Sequence, residues 1–191
     1  SLKWPAFNGV KSKIPGGYNL FALASSDAIN QDKAKAMTNL IKEPFSRLGA
    51  VRSAANTMGE TFTKISIFLS VLDVHVNRTP VSGEVIKTFY YEGKFLNAEL
   101  DKASEENERS VALIKTDKEQ YVGVSQIAGL IARRIITDLK EGNKVTVGER
   151  FGLIRFGSRA DIYLPEGVNP LVCVGQRTLG GETILANLNA K

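Results

Sequence analysis

The run "NKVTVGERFGLIRFGSRADIYLPEGVNPLVCVGQRTLGGETILANL" constrains this chain more than any other part of it. Short apolar stretches rich in Val, Ile, Leu and Phe alternate with glycine turns, leaving no room for an amphipathic helix between them. Strands so short and so closely spaced predict a sandwich or barrel rather than a sheet built from βαβ units. Upstream, "TKISIFLSVLDVHVNRTPVSGEV", "GEVIKTFYYEGKFLNAELD", "SVALIKTD" and "QYVGVSQIAGLIARRIIT" read as further strands, with a turn near Asp117-Lys118.

The first sixty residues have a different texture. Residues 1–27, with Pro5, Pro15, Gly16 and Gly17, read as loop. From about Ala28 the pattern turns helical. Met37, Leu40, Ile41, Phe45, Leu48 and Val51 recur at three- and four-residue steps, which places them on one helical stripe. Pro44 marks a kink or opens a second helix. Lys33, Lys35, Lys42, Arg47 and Arg52 lie in the same stretch, so the helix suits either an anionic bilayer surface or the domain's own sheet. The expected fold class is thus mainly β (α+β), a β-sandwich core preceded by an N-terminal helical segment. Residues 1–60 form the loop and amphipathic segment, a candidate for membrane association, and residues 61–191 form the β domain.

Composition narrows the chemistry. Hydrophobic residues at 43% and charged residues at 24% describe a soluble globular chain, and no segment approaches the ~18 uninterrupted apolar residues of a bilayer span. The net charge of +5 favours anionic partners. The single cysteine, Cys173, cannot form an internal disulfide, and between Val172 and Val174 it reads as a buried thiol in a strand. With that cysteine and one histidine, His75, the chain lacks the donors of a structural zinc site, so no metal is expected. A Gly-x-Ser-x-Gly nucleophile elbow is also missing.

Within "RFGSRADIYLP" the pair Gly157-Ser158 interrupts what otherwise reads as one strand. Taken alone, such a pair is a bulge or a turn. Several longer motifs give it another meaning. "FLSVLDVHVNRTPVSGEV", "YYEGKFLNAELDKASEENERS", "QIAGLIARRI" and "GERFGLIRFGSRADIYLP" stand in the order found in the short bacterial and archaeal type of phosphatidylserine decarboxylase, which this chain resembles from about Lys64 onward. "VGQRTLGGETILA" also resembles the hammerhead of lipoyl- and biotinyl-type domains, which implies a core like a barrel-sandwich hybrid.

The resemblance implies that the chain cuts itself between Gly157 and Ser158, leaving a β chain that ends at Gly157 and an α chain, Ser158 to Lys191, that begins with a covalent pyruvoyl group. That ketone would form a Schiff base with the amine of phosphatidylserine and accept the electrons released with carbon dioxide, yielding phosphatidylethanolamine. Ser158 is then the source of the cofactor and His75 the acid-base residue. Asp73, two residues from His75, is a candidate for orienting it, and Arg78, Arg155 and Arg159 are candidates for the lipid phosphate. The expected setting is the cytoplasmic face of a bacterial membrane, with the protein peripheral on an anionic lipid surface. No nucleic-acid partner is expected. The α and β chains stay together as a heterodimer, and a higher homo-oligomer is open. The family's upstream "PADG"-like stretch has no clear counterpart: "EPFSRLGAV" holds no aspartate, and Asp27 in "SSDA" lies earlier than the pattern leads one to expect. The rival readings are a non-catalytic carrier-like sandwich module and an unprocessed, lipid-binding pseudoenzyme.

Overall fold

The computed structural model describes residues 19–21, 28–34, 62–70, 72–98, 103–131, 134–155 and 158–189. They form twelve strands and one helical turn. In chain order these are β1 (Asn19–Phe21), β2 (Ala28–Ala34), β3 (Phe62–Leu69), β4 (Val76–Arg78), β5 (Gly83–Tyr91), α1 (Ala103–Glu106), β6 (Arg109–Lys115), β7 (Tyr121–Ile127), β8 (Ile135–Thr137), β9 (Lys144–Val145), β10 (Arg150–Ile154), β11 (Ser158–Leu164) and β12 (Ile184–Asn187). The protein is mainly β, and every pairing between these strands is antiparallel. A seven-stranded sheet runs β2-β3-β11-β7-β6-β5-β9, a three-stranded sheet runs β4-β10-β8, and β1 pairs with β12.

Side-chain alternation explains how the large sheet closes on its core. Ile65, Ile67 and Leu69 of β3, Ala160, Ile162 and Leu164 of β11, Val122 and Val124 of β7, and Ala112 and Ile114 of β6 all belong to one buried apolar cluster. Phe151 of β10, together with Leu185 and Ala186 of β12, joins that cluster from outside the seven-stranded sheet. Each large apolar side chain sealed this way contributes about 1.5–3 kcal/mol. The intervening residues of β11, Arg159, Asp161 and Tyr163, are buried as well, so this strand is enclosed on both faces.

Three expectations change at this level. Residues 28–34, where the helical texture was expected to start, form β2, which pairs along its full length with β3. A register of this kind overrides local propensity. The apolar stripe from Met37 to Val51 lies outside the described residues. "GERFGLIRFGSRADIYLP" is not one interrupted strand, because β10 belongs to the three-stranded sheet and β11 to the seven-stranded one. Cys173 is exposed rather than buried, in a turn where its N–H donates to Gln176 Oε1 and Gln176 N–H donates to its carbonyl. The turn expected at Asp117-Lys118 joins β6 to β7, closed by Thr116 N–H donating to Gln120 O at 2.8 Å.

Candidate active site

Ser158 is the first residue of β11 and pairs with Leu69, the last of β3. It shares the parity of Ala160, Ile162 and Leu164, which puts it on the core side of the sheet. It is fully buried, and among the described residues its Oγ has no hydrogen-bond partner. A hydroxyl stripped of water and left unbonded costs about 1–3 kcal/mol, so the fold holds this group at a penalty. Phe156 and Gly157, and with them the glycine side of the Gly157-Ser158 bond, lie outside the described residues.

Strand direction brings His75 to the same end of the molecule. Residues 155–157 carry the chain from the end of β10 in one sheet to the start of β11 in the other. β4 runs antiparallel to β10, so β4 begins where β10 ends, and Ile154 N–H donates to the His75 carbonyl at 3.2 Å. The ring Nδ1 lies 2.7 Å from the Asp73 carbonyl oxygen. A carbonyl can accept but not donate, so Nδ1 carries the proton and Nε2 is the basic nitrogen of the neutral ring.

Asp73 therefore orients His75 through its backbone. Its carboxylate is engaged elsewhere: Oδ2 accepts from Ser70 N–H at 2.8 Å, and Oδ1 stands 3.8 Å from Arg177 Nη2. The pair Asp73-His75 precedes β4, so strand alternation does not govern its side chains.

Two residues that the sequence did not single out tie the layers together here. Gln126 of β7 is paired with Ala160, so its side chain leaves the same face as Ser158. Its Nε2 donates to Asn77 Oδ1 at 2.7 Å and to the Ile136 carbonyl at 3.2 Å. Both amide hydrogens are thus used, and among the described residues Gln126 Oε1 and Asn77 Nδ2 are buried atoms without partners. His75 stands two residues before Asn77, and Ser158 two residues before the partner of Gln126. Gly152, opposite Asn77 on β10, permits the contact: a Cβ there would stand 3.0 Å from Gln126 Nε2. The available signal was an amide in the core register of the otherwise apolar "YVGVSQIAG".

The three candidate arginines separate. Arg155 is exposed and adjoins residues 156–157, with its N–H donating to Arg134 O at 3.4 Å. Arg78 donates from Nη1 to the Gly148 carbonyl at 2.8 Å, and burial, followed by the charge of Arg150, lowers its pKa. Arg159 follows Ser158 in the chain but points to the opposite face. There its Nε lies 2.9 Å from Asp161 Oδ1 and its Nη2 3.2 Å from Oδ2, while Nη1 donates to the Ala98 carbonyl. Tyr163 donates to the same carboxylate at 3.3 Å, and burial, then the Asp161 charge, holds its phenol well above its usual pKa. Arg159 is committed to this enclosed cluster rather than presented to solvent.

The register also bears on Asp27. Ala28 of β2 pairs with Phe68, and Phe68 with Arg159, so the strand that starts directly after Asp27 in the chain opens in line with the start of β11. Asp27 itself lies outside the described residues. Among the described residues, no group of three or more His, Cys, Asp and Glu stands together as metal ligands. An open hollow of about 460 Å³ lined by Ser82, Glu84, Lys115, Glu119 and Lys144 adjoins the other end of β6 and β7 and shares no residue with this site.

A family model described as phosphatidylserine decarboxylase matches residues 18–186. Similar curated proteins include three named phosphatidylserine decarboxylase proenzyme. That of Erythrobacter litoralis (strain HTCC2594) is 52% identical over 159 residues, covering 81% of this chain and 64% of the relative. That of Gluconobacter oxydans (strain 621H) is 59% identical over 136 residues, covering 71% and 60%. That of Cereibacter sphaeroides (strain ATCC 17025 / ATH 2.4.3) is 55% identical over 142 residues, covering 74% and 61%. The match thus spans between 60 and 64% of the length of these relatives.

Proposed function

This chain belongs to the phosphatidylserine decarboxylase family, and we propose that it cuts itself between Gly157 and Ser158 and then decarboxylates phosphatidylserine to phosphatidylethanolamine. The observation that carries the reading is the buried, unbonded Ser158 Oγ at the end of the sheet where His75 also stands. Family membership over residues 18–186 favours it over a carrier-like module. A sandwich of the barrel-sandwich-hybrid kind is part of the same reading.

Self-cleavage follows from the residues present. Ser158 Oγ adds to the Gly157 carbonyl carbon, the peptide C–N bond breaks, and the hydroxyl proton passes to the departing nitrogen, leaving an ester. Removal of the Ser158 Cα proton expels the Gly157 carboxylate. Water then hydrolyses the resulting dehydroalanine to a pyruvoyl group and ammonia. An unbonded Oγ fits this chemistry, because no hydrogen bond has to be broken before it attacks.

His75 Nε2, fixed as the basic nitrogen by the Asp73 carbonyl, takes protons during scission and returns one to the substrate carbon after carbon dioxide leaves. The processing carboxylate is Asp27, on the support of the β2-β3-β11 register. The pyruvoyl group, once formed at residue 158, supplies an electrophilic carbonyl that accepts electrons in place of pyridoxal phosphate. Arg155 is the candidate for the lipid phosphate, since it is exposed beside the cut.

After scission Ser158–Lys191 remains in the fold, because β11 lies between β3 and β7 and β12 pairs with β1. The product is a heterodimer of two fragments, peripheral on the cytoplasmic face of a bacterial membrane.

Mass spectrometry tests this directly. Purified protein is expected as two fragments, the second beginning with a blocked, carbonyl-bearing residue 158, while Ser158→Ala stays one 20.8 kDa chain without carbon dioxide release. A wild-type chain that stays whole, or a Ser158→Ala chain that still cleaves, overturns the assignment.

A further inference from the structure

Of the eight large hydrophobic side chains exposed among the described residues, seven lie in three loops: Leu72 and Val74, Leu130 and Ile131, and Leu171, Val174 and Leu179, each more than half exposed. Leu171 stands apart from the rest, its N–H donating to the Leu185 carbonyl of β12. The loops gather at one end of the molecule. The first leaves β3 just past Leu69, the partner of Ser158. The second leaves β7 just past Ile127, the partner of Arg159, and its Arg134 carbonyl accepts from Arg155 N–H. The third is brought to the first by Arg177, 3.8 Å from Asp73. Scattered single hydrophobics are ordinary, but six converging at one rim mark an interaction surface.

The exposed charges on this rim are mostly basic. Arg134, Arg155 and Arg177 are exposed. In the described parts of these loops the acidic residues are Asp73, whose side chain is 7% exposed and accepts from Ser70 N–H, Glu182, exposed in the turn with Leu179, and Glu166, exposed just past the far end of β11. Apolar tips interleaved with guanidinium groups match the two layers of an anionic bilayer surface, acyl boundary and headgroup. A folded protein partner would more often meet aromatic anchors and paired charges. No described helix is long and apolar enough to cross a membrane, so this surface dips rather than spans.

We propose that these three loops form a bilayer-docking rim, inserting Leu72, Val74, Leu130, Ile131, Val174 and Leu179 among anionic lipids so that the mouth beside Ser158 opens onto the membrane. The assignment builds on the lipid substrate proposed above, and names the surface that meets it.

The test is flotation of the 191-residue protein with phosphatidylcholine vesicles containing or lacking phosphatidylglycerol, which is not the proposed substrate. Binding is expected to weaken about 100-fold without the anionic lipid, at about fivefold for each of three arginines. It is expected to weaken at least about tenfold in Leu130→Ser/Ile131→Ser, and again in Val174→Ser/Leu179→Ser, from the apolar area lost. Self-cleavage, read by mass on the same samples, is expected to be unchanged and shows that the variants fold.

Unaltered binding in both variants overturns the proposal, as does a wild-type protein that ignores anionic vesicles. So does a wild-type dimer that either variant dissolves, which would make the rim an interface between copies. An uncut protein that binds vesicles through these residues sinks the proposed function and leaves the rim standing. A cut, active protein indifferent to the substitutions does the reverse.

Discussion

Replacing Gly152 with alanine probes the junction on which the candidate site rests. An added Cβ would stand 3.1 Å from the Ile136 carbonyl carbon, closer still to its oxygen, and 3.0 Å from Gln126 Nε2. The amide end can swing away, but the carbonyl belongs to the β10–β8 ladder, where Gly152 pairs with Thr137 and Leu153 with Ile136. Carbon atoms settle at about 3.5–4.0 Å, so the strands must part by roughly 0.5–1 Å. Overpacking of this kind costs about 1–3 kcal/mol. Loosening two ladder hydrogen bonds adds about 0.5–1.5 kcal/mol each. The total is about 2–6 kcal/mol, and at about 2–4 °C per kcal/mol for a chain of this size the midpoint is expected to fall by about 10 °C.

The assay is thermal unfolding by circular dichroism in a Ser158→Ala background, which keeps a single uncut chain. Gly142→Ala is the control. Its φ is 81° with nothing within 4 Å of the added Cβ, so it pays the left-handed backbone penalty of about 1–2 kcal/mol without a collision. A Gly152→Ala midpoint within 3 °C of the parent (roughly one kcal/mol by the same scale), or no lower than the control, refutes the close approach. In the Ser158 chain the same substitution is expected to slow cleavage, since it displaces the strand that hydrogen-bonds the His75 backbone.

Asp161→Asn removes the carboxylate charge facing Arg159 in an enclosed cluster, and is expected to cost about 3–5 kcal/mol by urea midpoint. A loss below about 1 kcal/mol, the range of exposed pairs, would contradict the burial. Tyr163 titrates in the opposite sense from a paired carboxylate: burial and the Asp161 charge raise its folded pKa, so its contribution is whole below its unfolded value near 10 and is lost as pH rises beyond it. Tyr163→Phe, although it loses the hydrogen bond to Asp161, is expected to fall less steeply in urea midpoint between pH 9 and 11 (roughly spanning the free phenol pKa), and parallel curves would refute this.

The strands were legible because their signal is local. In "TKISIFL" and "RADIYL" the residues that reach the apolar cluster, Ile65, Ile67, Ile162 and Leu164, stand two apart. Ser158 and His75 were legible through motifs, whose residue order survives without coordinates. The stretch from Ala28 was misread because Lys33 and Ala34 fit a helix as well as a strand, and the pairing with β3 decides. That Asp73 meets His75 through its backbone carbonyl was not legible, because both residues precede β4 and no strand alternation sets their side chains. Asn77 and Gln126 were overlooked because a lone amide in an apolar run gains meaning from its partner, and that partner is on another sheet.

By itself the sequence determined the alternation that makes this protein a set of short strands, and the order of motifs that points to Ser158 and His75. Both are properties of neighbouring residues, and neighbours in the chain need no fold to be compared. The tertiary structure alone decided that β10 and β11 part into different sheets, and that adjacent Ser158 and Arg159 face opposite sides. It also decided that the Asp73 carboxylate turns away from His75 and that three distant loops share one apolar rim. These depend on pairing register and on the crossing between sheets, which exist only once residues far apart in the chain have met.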